Sequence, residues 1–267
     1  MIALSIYATA PHQIACGQAV AQGIQSIGGR AVVTQAGGTL KTQHVACWGW
    51  RRGKTYRESG HDVLVMERAY LGDRFKWVSL GWNGLNGFAA FHFQHDGGAR
   101  FREHFGHLMQ PWSPVGSGDY VLLIGQVPGD MSLRGRDLNP WYQQVAERAR
   151  DIYGLPVVFR PHPQAAKLGH RAPNVPRATL STGTLAEDLA RAAVCVTWNS
   201  NAGVEAVLAG VPTVSMCKGS MAYDVTGHVI GDMLRLPRED WAARLAWCQW
   251  LPEEIATGAP FWNFKNA

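Results

Sequence analysis

Two strand ends in the second half of the chain carry the residue types that bind a phosphorylated ligand. In VVFRPHP, over residues 157–163, an apolar run stops at two prolines with Arg160 and His162 beside them. A guanidinium can fork onto a phosphate, and an imidazole can donate a hydrogen bond to one. Ligands of open α/β sheets gather at the carboxyl ends of the strands, where both side chains are predicted to lie. A structural turn built by the prolines is the alternative, but it explains only the backbone restriction.

The second strand end lies in VCVTWNSNAGVEAVLAGVPTV, over residues 194–214, which predicts a strand, a polar turn, a helix and another strand. Asn199 or Ser200 is predicted to cap a helix whose N–H groups and positive dipole end face an anion. Gly203 lets a ligand approach the first turn closely. Glu205 lies about one turn inside the helix, where a carboxylate can accept hydrogen bonds from the two hydroxyls of a ribose. An exposed helix acid is the alternative for Glu205.

Three segments in order, VLLIGQVPGDMSL, FRPHP and TWNSNAGVEAVLAGVPTV, resemble the donor-binding half of the capsule-polysaccharide β-Kdo transferases. More broadly, they are similar to bacterial sialyltransferase-like enzymes of the GT-B fold. The resemblance covers roughly residues 121–223. Those enzymes hold the nucleotide of an activated sugar with a His-Pro motif and a Ser/Thr motif, and they need no metal. The resemblance implies a UDP-sugar or CMP-sugar as co-substrate, with no tightly bound cofactor.

The resemblance assigns the two motifs to His162 with Pro163 and to Thr197 with Ser200, and it adds Gln126 and Glu205. Together with the residues predicted from the strand ends, the expected donor-binding set is Gln126, Arg160, His162, Pro163, Thr197, Asn199, Ser200, Asn201, Gly203 and Glu205.

The same enzymes carry an acidic motif, Glu-Asp-Gly followed by an aromatic residue, at a strand end of their other domain. One of its acids is the catalytic base. In DVLVMERAYL, over residues 62–71, Glu67 matches the first acid, whereas Arg68 and Ala69 replace the second acid and the glycine. A base is needed because the acceptor hydroxyl loses its proton as it attacks the sugar, and a positioned base is worth roughly 10²–10⁴ in rate. A salt bridge from Glu67 to Arg68 or Arg74 is the structural alternative.

Two other acids compete for this role. Asp96 follows His95 in QHDGG and resembles the acid-acid-Gly pattern of the sialyltransferases with a histidine in the first place, so both are catalytic candidates. A turn acid before two glycines is the alternative for Asp96. Asp73 in LGDRF is a third candidate.

Length and pattern fit this resemblance. A chain of 267 residues that is 46% hydrophobic can bury two small cores, and short apolar runs alternate with helical segments as in βαβ units. The predicted fold is a compact α/β, GT-B-like arrangement of two Rossmann-like domains facing each other across a cleft. The expected domains are 1–112, which binds the acceptor, and 117–237, which binds the donor. A helical tail, 238–267, is predicted to cross back to the first domain.

Charge bears on the acceptor. Residues 1–116 contain eleven Lys and Arg against six Asp and Glu, whereas residues 117–267 contain fourteen of each. A basic acceptor domain favours a polyanion. Arg51, Arg52 and Lys54 form the densest basic group, and Asn83 and Asn86 in a glycine-rich loop are further acceptor-binding candidates. A solvated surface cluster and a plain turn are the alternatives.

These features predict a phage-type, DNA-modifying glycosyltransferase that acts on a hydroxymethylated pyrimidine such as 5-hydroxymethylcytosine in double-stranded DNA. Base flipping would then be required. A surface or capsule glycan is the second acceptor considered, and an epimerase or a nucleotide-sugar binding module are the functions considered from other classes. The phosphate-loop and dinucleotide fingerprints do not occur in the sequence.

Several expectations concern absences. The five cysteines show no C-x-x-C spacing, which predicts reduced, packed thiols in a cytoplasmic protein. His104 and His107 have no convincing third ligand nearby, so no metal site is predicted. No apolar run approaches the ~20 residues of a membrane span, and the first residues lack the basic start of a signal peptide.

Overall fold

The computed structural model describes residues 2–35 and 42–266, with side chains up to residue 262. The chain divides into two compact α/β units, one formed by Met1–Phe101 with Ala242–Ala267 and the other by Arg102–Trp241. The first therefore draws on both ends of the sequence. Among the described residues, no helix combines the length and the apolar character that a membrane crossing requires.

The described part of the first unit is built on a six-stranded sheet with the order β11-β5-β4-β3-β1-β2. Strands β2, β1, β3 and β4 run parallel, whereas β5 and β11 are antiparallel additions at one edge. Its strands are β1 (Ala3–Tyr7), β2 (Arg30–Thr34), β3 (His44–Trp48), β4 (Asp62–Arg68), β5 (Val78–Trp82) and β11 (Gln249–Trp250). Its helices are α1 (Pro11–Ser26), α2 (Trp50–Glu58) and α9 (Pro252–Ala256), with a 3₁₀ turn at Asn86–Phe88 and a 3₁₀ segment at Ala259–Asn266. Helix α3 (Ala99–Phe105) begins in this unit and continues into the second.

The core of this unit follows from strands that are apolar on both faces. One face of β1, β3 and β4 packs on α1 and on the tail residues Ile255 and Phe261, and the other packs on α2 through Tyr56. The sequence predicted only a charged cluster where α2 forms. The helix is stabilised there because Gly53 and Tyr56 are buried while its charged residues stay outside.

The second unit has a five-stranded, fully parallel sheet with the order β10-β9-β6-β7-β8. Its strands are β6 (Tyr120–Ile124), β7 (Val157–Arg160), β8 (Ala178–Leu180), β9 (Ala192–Thr197) and β10 (Thr213–Ser215). Its helices are α4 (Asn139–Tyr153), α5 (Pro163–Lys167), α6 (Leu185–Arg191) and α7 (Ala202–Leu208), with 3₁₀ turns at Gly106–Leu108, Met131–Leu133 and Tyr223–Val225. Helix α8 (Glu239–Ala246) follows.

Local signals account for the helix ends in this unit. Helix α4 has Pro140 in its first turn and ends at Gly154 in a left-handed conformation, both of which are helix-end signals of the sequence. Thr184 and Glu187 form the capping box of α6. The α/β fold class is confirmed by these two parallel-stranded sheets and their helices.

The segment around Gln110 and Ser113, near the predicted boundary between the two domains, is held within the second unit. The Gln110 and Ser113 amides donate to the Leu208 and Gly210 carbonyls at the end of α7, and the Arg238 guanidinium donates to the Val207 and Gln110 carbonyls. Residues 102–112, which the sequence assigned to the first domain, belong to the second unit for this reason.

Candidate functional site

The carboxyl edge of the second sheet collects most of the predicted donor residues. Strand β6 lies between β9 and β7, and all three run parallel, so the residues that follow them meet at one edge. The chain leaves β6 toward β7 and β8 on one side and returns to β9 and β10 on the other. The strand order therefore reverses between β6 and β9, the place where open α/β sheets bind their ligands.

A reciprocal amide pair spans this reversal point. The Gln126 side chain donates from Nε2 to Asn199 Oδ1 at 2.7 Å, and its Oε1 accepts from the Asn199 backbone at 3.1 Å. Asn199 also donates from Nδ2 to the Ser132 carbonyl at 2.8 Å, and Tyr142 Oη accepts from the Gln126 amide. Because Asn199 is only 3% exposed, it positions the two loops rather than facing a ligand.

We expect Asn199→Ala and Gln126→Ala each to weaken nucleotide binding about tenfold or more, because either change breaks the bond between the two side chains and leaves the remaining amide short of a partner. The double variant is expected to lose less than the sum of the single losses, since both single variants break this bond. Calorimetric titration measures this, with Gln144→Ala on the exposed face of α4 as the control. Additive losses would show that the two amides act independently.

A cavity of about 420 Å³ lies at the reversal point. The loop after β6, the residue after β9 and the residue beyond β10 all contribute to it. Its lining residues are Ser132, Leu133, Arg134, Gly135, Arg136, Trp198 and Cys217.

The two arginines of the cavity were missed by the sequence analysis. The Arg136 guanidinium carbon stands 4.5 Å from the centre of the Trp198 ring, which holds the cation against an aromatic face. Arg134 has a φ of 52°, a left-handed conformation that turns the loop back after the 3₁₀ turn at Met131–Leu133. Two arginines around one glycine, in the loop that follows the buried strand β6, were the available signal.

Arg160 is the last residue of β7, at the expected strand end, but its guanidinium is paired within the second unit. Its Nη1 donates to Asp188 Oδ2 at 2.7 Å, to the Gly183 carbonyl at 2.6 Å and to Ser181 Oγ at 3.3 Å. The Asp188 side chain is 10% exposed, so this ion pair is largely buried. The pair orders the segment before α6. It also neutralises the positive charge of Arg160, which the sequence analysis had assigned to binding a phosphate.

His162 caps α5, and Pro163 is the first residue of that helix. The His162 Nδ1 accepts a hydrogen bond from the Gln164 amide at 3.2 Å. This bond assigns the proton of the neutral ring to Nε2, which makes Nε2 a donor. The His-Pro pair thus has a structural reason, because it caps and begins α5.

Several backbone N–H groups of the turn after β9 donate hydrogen bonds to acceptors within the same turn. Ser200 N–H donates to Thr197 Oγ1, Ala202 N–H donates to Ser200 Oγ, and Gly203 N–H donates to the Ser200 carbonyl. A Cβ on Gly203 would lie 3.0 Å from Thr197 Cγ2, so the glycine is explained by strand–helix packing. Glu205 is exposed on α7, and its Oε1 lies 3.5 Å from Asn201 Nδ2. Within the part of the chain that the structure describes, the Ser200 hydroxyl accepts from the Ala202 amide, and a hydroxyl can also donate.

In the first unit, Glu67 lies at the carboxyl end of β4, beside the start of α2. Its Oε2 accepts from the Arg68 amide at 3.3 Å, and a Cβ on Gly49 would lie 3.3 Å from its Oε1. Gly49 has a φ of 78°, which favours glycine and leaves room for the carboxylate. Arg74 donates from Nε to the Ala69 carbonyl at 3.0 Å.

Asp96 and Asp73 have structural tasks. Asp96 accepts from the Gly98 amide with Oδ1 and from the Arg100 amide with Oδ2, both at 2.8 Å, which begins α3. Burial raises the pKa of Asp96, but the hydrogen bonds from the Arg100 and Gly98 amides hold it below its ordinary value. Such a carboxylate is a weak base. His95 beside it is exposed, and Asp73 accepts from the Phe75 amide in a turn.

Some of the acceptor candidates are exposed, and others already contact neighbouring side chains or backbone. Arg51 is exposed on α2, Arg52 stacks on the Tyr7 ring at 4.6 Å, and Lys54 lies 3.7 Å from the Glu58 carboxylate. Asn83 exchanges hydrogen bonds with the backbone of Val63, so it fixes the start of β4. Asn86 lies in the 3₁₀ turn at Asn86–Phe88 with a φ of 52°.

In the part of the chain that the structure describes, no three His, Cys, Asp or Glu side chains form a group able to hold a metal ion. His104 pairs with the neighbouring Glu103 at 4.0 Å, as a contact between adjacent residues.

No protein-family model matches the chain. It is 30% identical over 145 residues to Protein FixF of Sinorhizobium fredii (strain NBRC 101917 / NGR234). That match covers 51% of this chain and 34% of FixF, so the chain spans about a third of the length of this relative.

Two solved structures extend over almost the whole chain. The beta Kdo 2,7 transferase of Thermosulfurimonas dismutans KpsC has a TM-score of 0.60 and 14% identity, covering 98% of this chain and 99% of that one. The beta Kdo 2,4 transferase of the same KpsC has a TM-score of 0.58 and 16% identity, covering 91% and 90%. At such identities the likeness concerns the fold, and it confirms the predicted α/β, GT-B-like class.

Proposed function

We propose that this protein is a glycosyltransferase that moves a sugar from a nucleotide sugar to a hydroxyl group. The observation that carries the proposal is the cavity at the strand-order reversal of the second unit, lined by Arg134, Arg136 and Trp198. Two cations and an aromatic face suit a nucleotide phosphate and its attached rings. The two KpsC chains of similar fold are Kdo transferases by name, which supports the same class of reaction.

The reaction requires charge stabilisation at the leaving group. The acceptor oxygen bonds to the anomeric carbon while the bond from that carbon to the phosphate oxygen breaks, and the electron pair leaves with the phosphate. Arg134, Arg136 and the Nε2–H of His162 are the donors assigned to that phosphate. Arg160 serves as a positioning residue, because Asp188 already engages it. In this proposal side chains supply the positive charge that a metal provides in other transferases.

Glu67 is assigned as the base that accepts the proton of the acceptor hydroxyl. It has the matching place in the acidic motif and lies at the carboxyl end of a parallel strand, where ligands of such sheets bind. Asp96 is less suited, since hydrogen bonds from two backbone amides lower its pKa.

For the acceptor we favour a glycan over DNA. The basic group on α2 is partly neutralised, because Lys54 faces Glu58 and Arg57 contacts Asp62 at 3.2 Å. Both named Kdo transferases also point toward glycan chemistry. The hydroxymethylated-DNA acceptor stays a prediction. A binding assay with duplex DNA distinguishes it from a glycan acceptor, because affinity that depends on DNA phosphates should fall steeply as the salt concentration rises.

Cys217 gives a test of donor binding that needs no acceptor. It lines the cavity and is partly exposed, whereas the other four cysteines are buried. Burial also raises the pKa of those four thiols, that of Cys47 to about 12, so Cys217 should react first with iodoacetamide. We expect a saturating CMP-sugar or UDP-sugar to slow this alkylation, measured by mass spectrometry.

The protection is expected to need about tenfold more donor in Arg136→Ala and His162→Ala, since each loses a charged or polar contact to phosphate. Arg148→Ala on exposed α4 is the matched control, and the unprotected rate is measured in each variant. Full alkylation at saturating concentrations of both kinds of donor would contradict the assigned pocket. Turnover abolished by chelator and restored by manganese would contradict the metal-independent mechanism.

A further inference from the structure

The indole ring of Trp198 has a fixed position at the cavity of the second unit. Trp198 directly follows β9, and the next residue, Asn199, is held by its hydrogen bonds to Gln126. The ring centre lies 5.7 Å from that of Trp141 on α4, with the two ring planes 76° apart, and Trp141 is only 8% exposed. Because its backbone and this neighbouring ring are anchored in the core, Trp198 offers a rigid surface on which a flat ring can stack.

The Arg136 guanidinium covers this ring. Its carbon lies 4.5 Å from the ring centre, and both residues line the cavity. Arg136 is exposed and follows two residues with a left-handed backbone, Arg134 with a φ of 52° and Gly135 with a φ of 81°. Among the described residues, the Arg136 guanidinium forms no hydrogen bond or ion pair, in contrast to that of Arg160. An exposed arginine that is held only by stacking can leave the ring without breaking another contact.

A phosphate competes successfully with the ring for this guanidinium. A cation–π contact at an exposed site contributes a factor of about two to five to an equilibrium, because the cation stays largely hydrated. A charge-assisted hydrogen bond to a phosphate contributes roughly ten- to a hundredfold. A ligand that carries a phosphate therefore draws Arg136 away from Trp198, whereas a ligand without one leaves the arginine on the ring.

We propose that Arg136 is a cover of Trp198 that a phosphate removes, and that it makes the cavity selective for phosphorylated nucleosides over free nucleosides. This inference rests on the proposed function and concerns how its nucleotide is recognised. When a phosphate binds Arg136, the face of Trp198 becomes free for the nucleobase. A free nucleoside must instead displace the guanidinium, which has no phosphate to bind.

The phosphate and the nucleobase consequently increase each other's affinity. Both bind the conformation in which Arg136 has left the ring, so each shifts the population toward the state that the other requires. The expected signature is an arginine whose removal strengthens the binding of one ligand class and weakens the binding of the other.

Arg136→Ala is expected to change the affinities for nucleosides and nucleotides in opposite directions. Cytidine and uridine should bind about two- to fivefold more tightly, because the ring is no longer covered. CMP and UMP should bind about tenfold less tightly, because a contact to the phosphate is lost. Ligand-observed NMR titration of the full chain measures all four affinities. Arg148→Ala on the exposed face of α4 is the matched control and should leave them unchanged.

In a Trp198→Leu background, Arg136→Ala should no longer improve nucleoside binding, because there is no indole ring to uncover. Unchanged or weaker nucleoside binding in Arg136→Ala would overturn the inference, and so would a gain that persists without Trp198. The Cys217 alkylation assay is run with CMP and UMP on the same variants. If neither nucleotide binds the wild-type chain or protects Cys217, the proposed function is rejected together with this inference. Protection by a nucleotide, combined with an unchanged nucleoside affinity in Arg136→Ala, would reject this inference alone.

Discussion

Glu67→Gln is expected to lower the rate of sugar transfer by about 10²–10⁴ while the affinity for donor stays the same. The amide has the size of the carboxylate but cannot accept a proton from the acceptor hydroxyl. Glu67 lies in the first unit, whereas the donor cavity belongs to the second, so alkylation of Cys217 should respond to donor as in the wild type. Single-turnover transfer and the alkylation assay measure the two effects separately.

Asp96→Asn is the matched comparison for this prediction. The asparagine keeps one acceptor oxygen for the start of α3 but loses the second, so some loss of stability and little loss of transfer are expected. If Asp96→Asn abolishes transfer while Glu67→Gln keeps it, the base is Asp96. Full turnover in both variants would show that neither carboxylate is the proton acceptor.

Arg100→Ala is expected to destabilise the first unit by about 3–5 kcal/mol, the cost of leaving a buried charge without its partner. Arg100 is 7% exposed and forms a bidentate pair with Glu254 on α9 at 2.6 and 2.7 Å. It also donates to the Ala246 and Gln249 carbonyls, and it lies 4.7–5.3 Å from the ring centres of Trp77, Trp247 and Trp250. Urea unfolding measures the loss in the free energy of unfolding, and hydrogen exchange of residues 249–256 in the absence of urea shows whether this segment is loosened.

Arg30→Ala, which removes an exposed arginine, should change the free energy of unfolding by less than about 0.5 kcal/mol. Glu254→Gln is expected to fall between the two, because it keeps the hydrogen bonding but not the charge. If residues 249–256 exchange equally slowly in Arg100→Ala and Arg30→Ala, the tail is held by its apolar contacts alone.

Local signals were sufficient where a residue's partners lie nearby in sequence. The capping box at Thr184 and Glu187, the start of α4 at Pro140 and the buried runs of β6 and β9 depend on contacts over a few residues. They predict strand ends, and parallel strands bring those ends to one edge. The α/β class and the strand edge of the candidate donor site followed from these signals.

Hydrogen-bond and ion-pair partners that are distant in sequence could not be predicted. Arg160 was assigned to a phosphate because nothing in the sequence indicates that it pairs with Asp188, 28 residues later. Asn199 was expected to touch the donor, but Gln126, 73 residues earlier, buries it as a positioning residue. The arginines of the cavity were overlooked because a loop sequence does not show which way it folds over the sheet.

The sequence by itself determined which segments become strands and helices and which residue types stand where strands end, since hydrophobic periodicity and caps act locally. Tertiary structure alone decided which cations remain available for ligands. Asp188 and Glu254 engage Arg160 and Arg100, whereas Arg68 and Arg136 are stacked on aromatic rings. The physical reason is that a charge is neutralised only by a group within a few ångströms, and folding sets that distance.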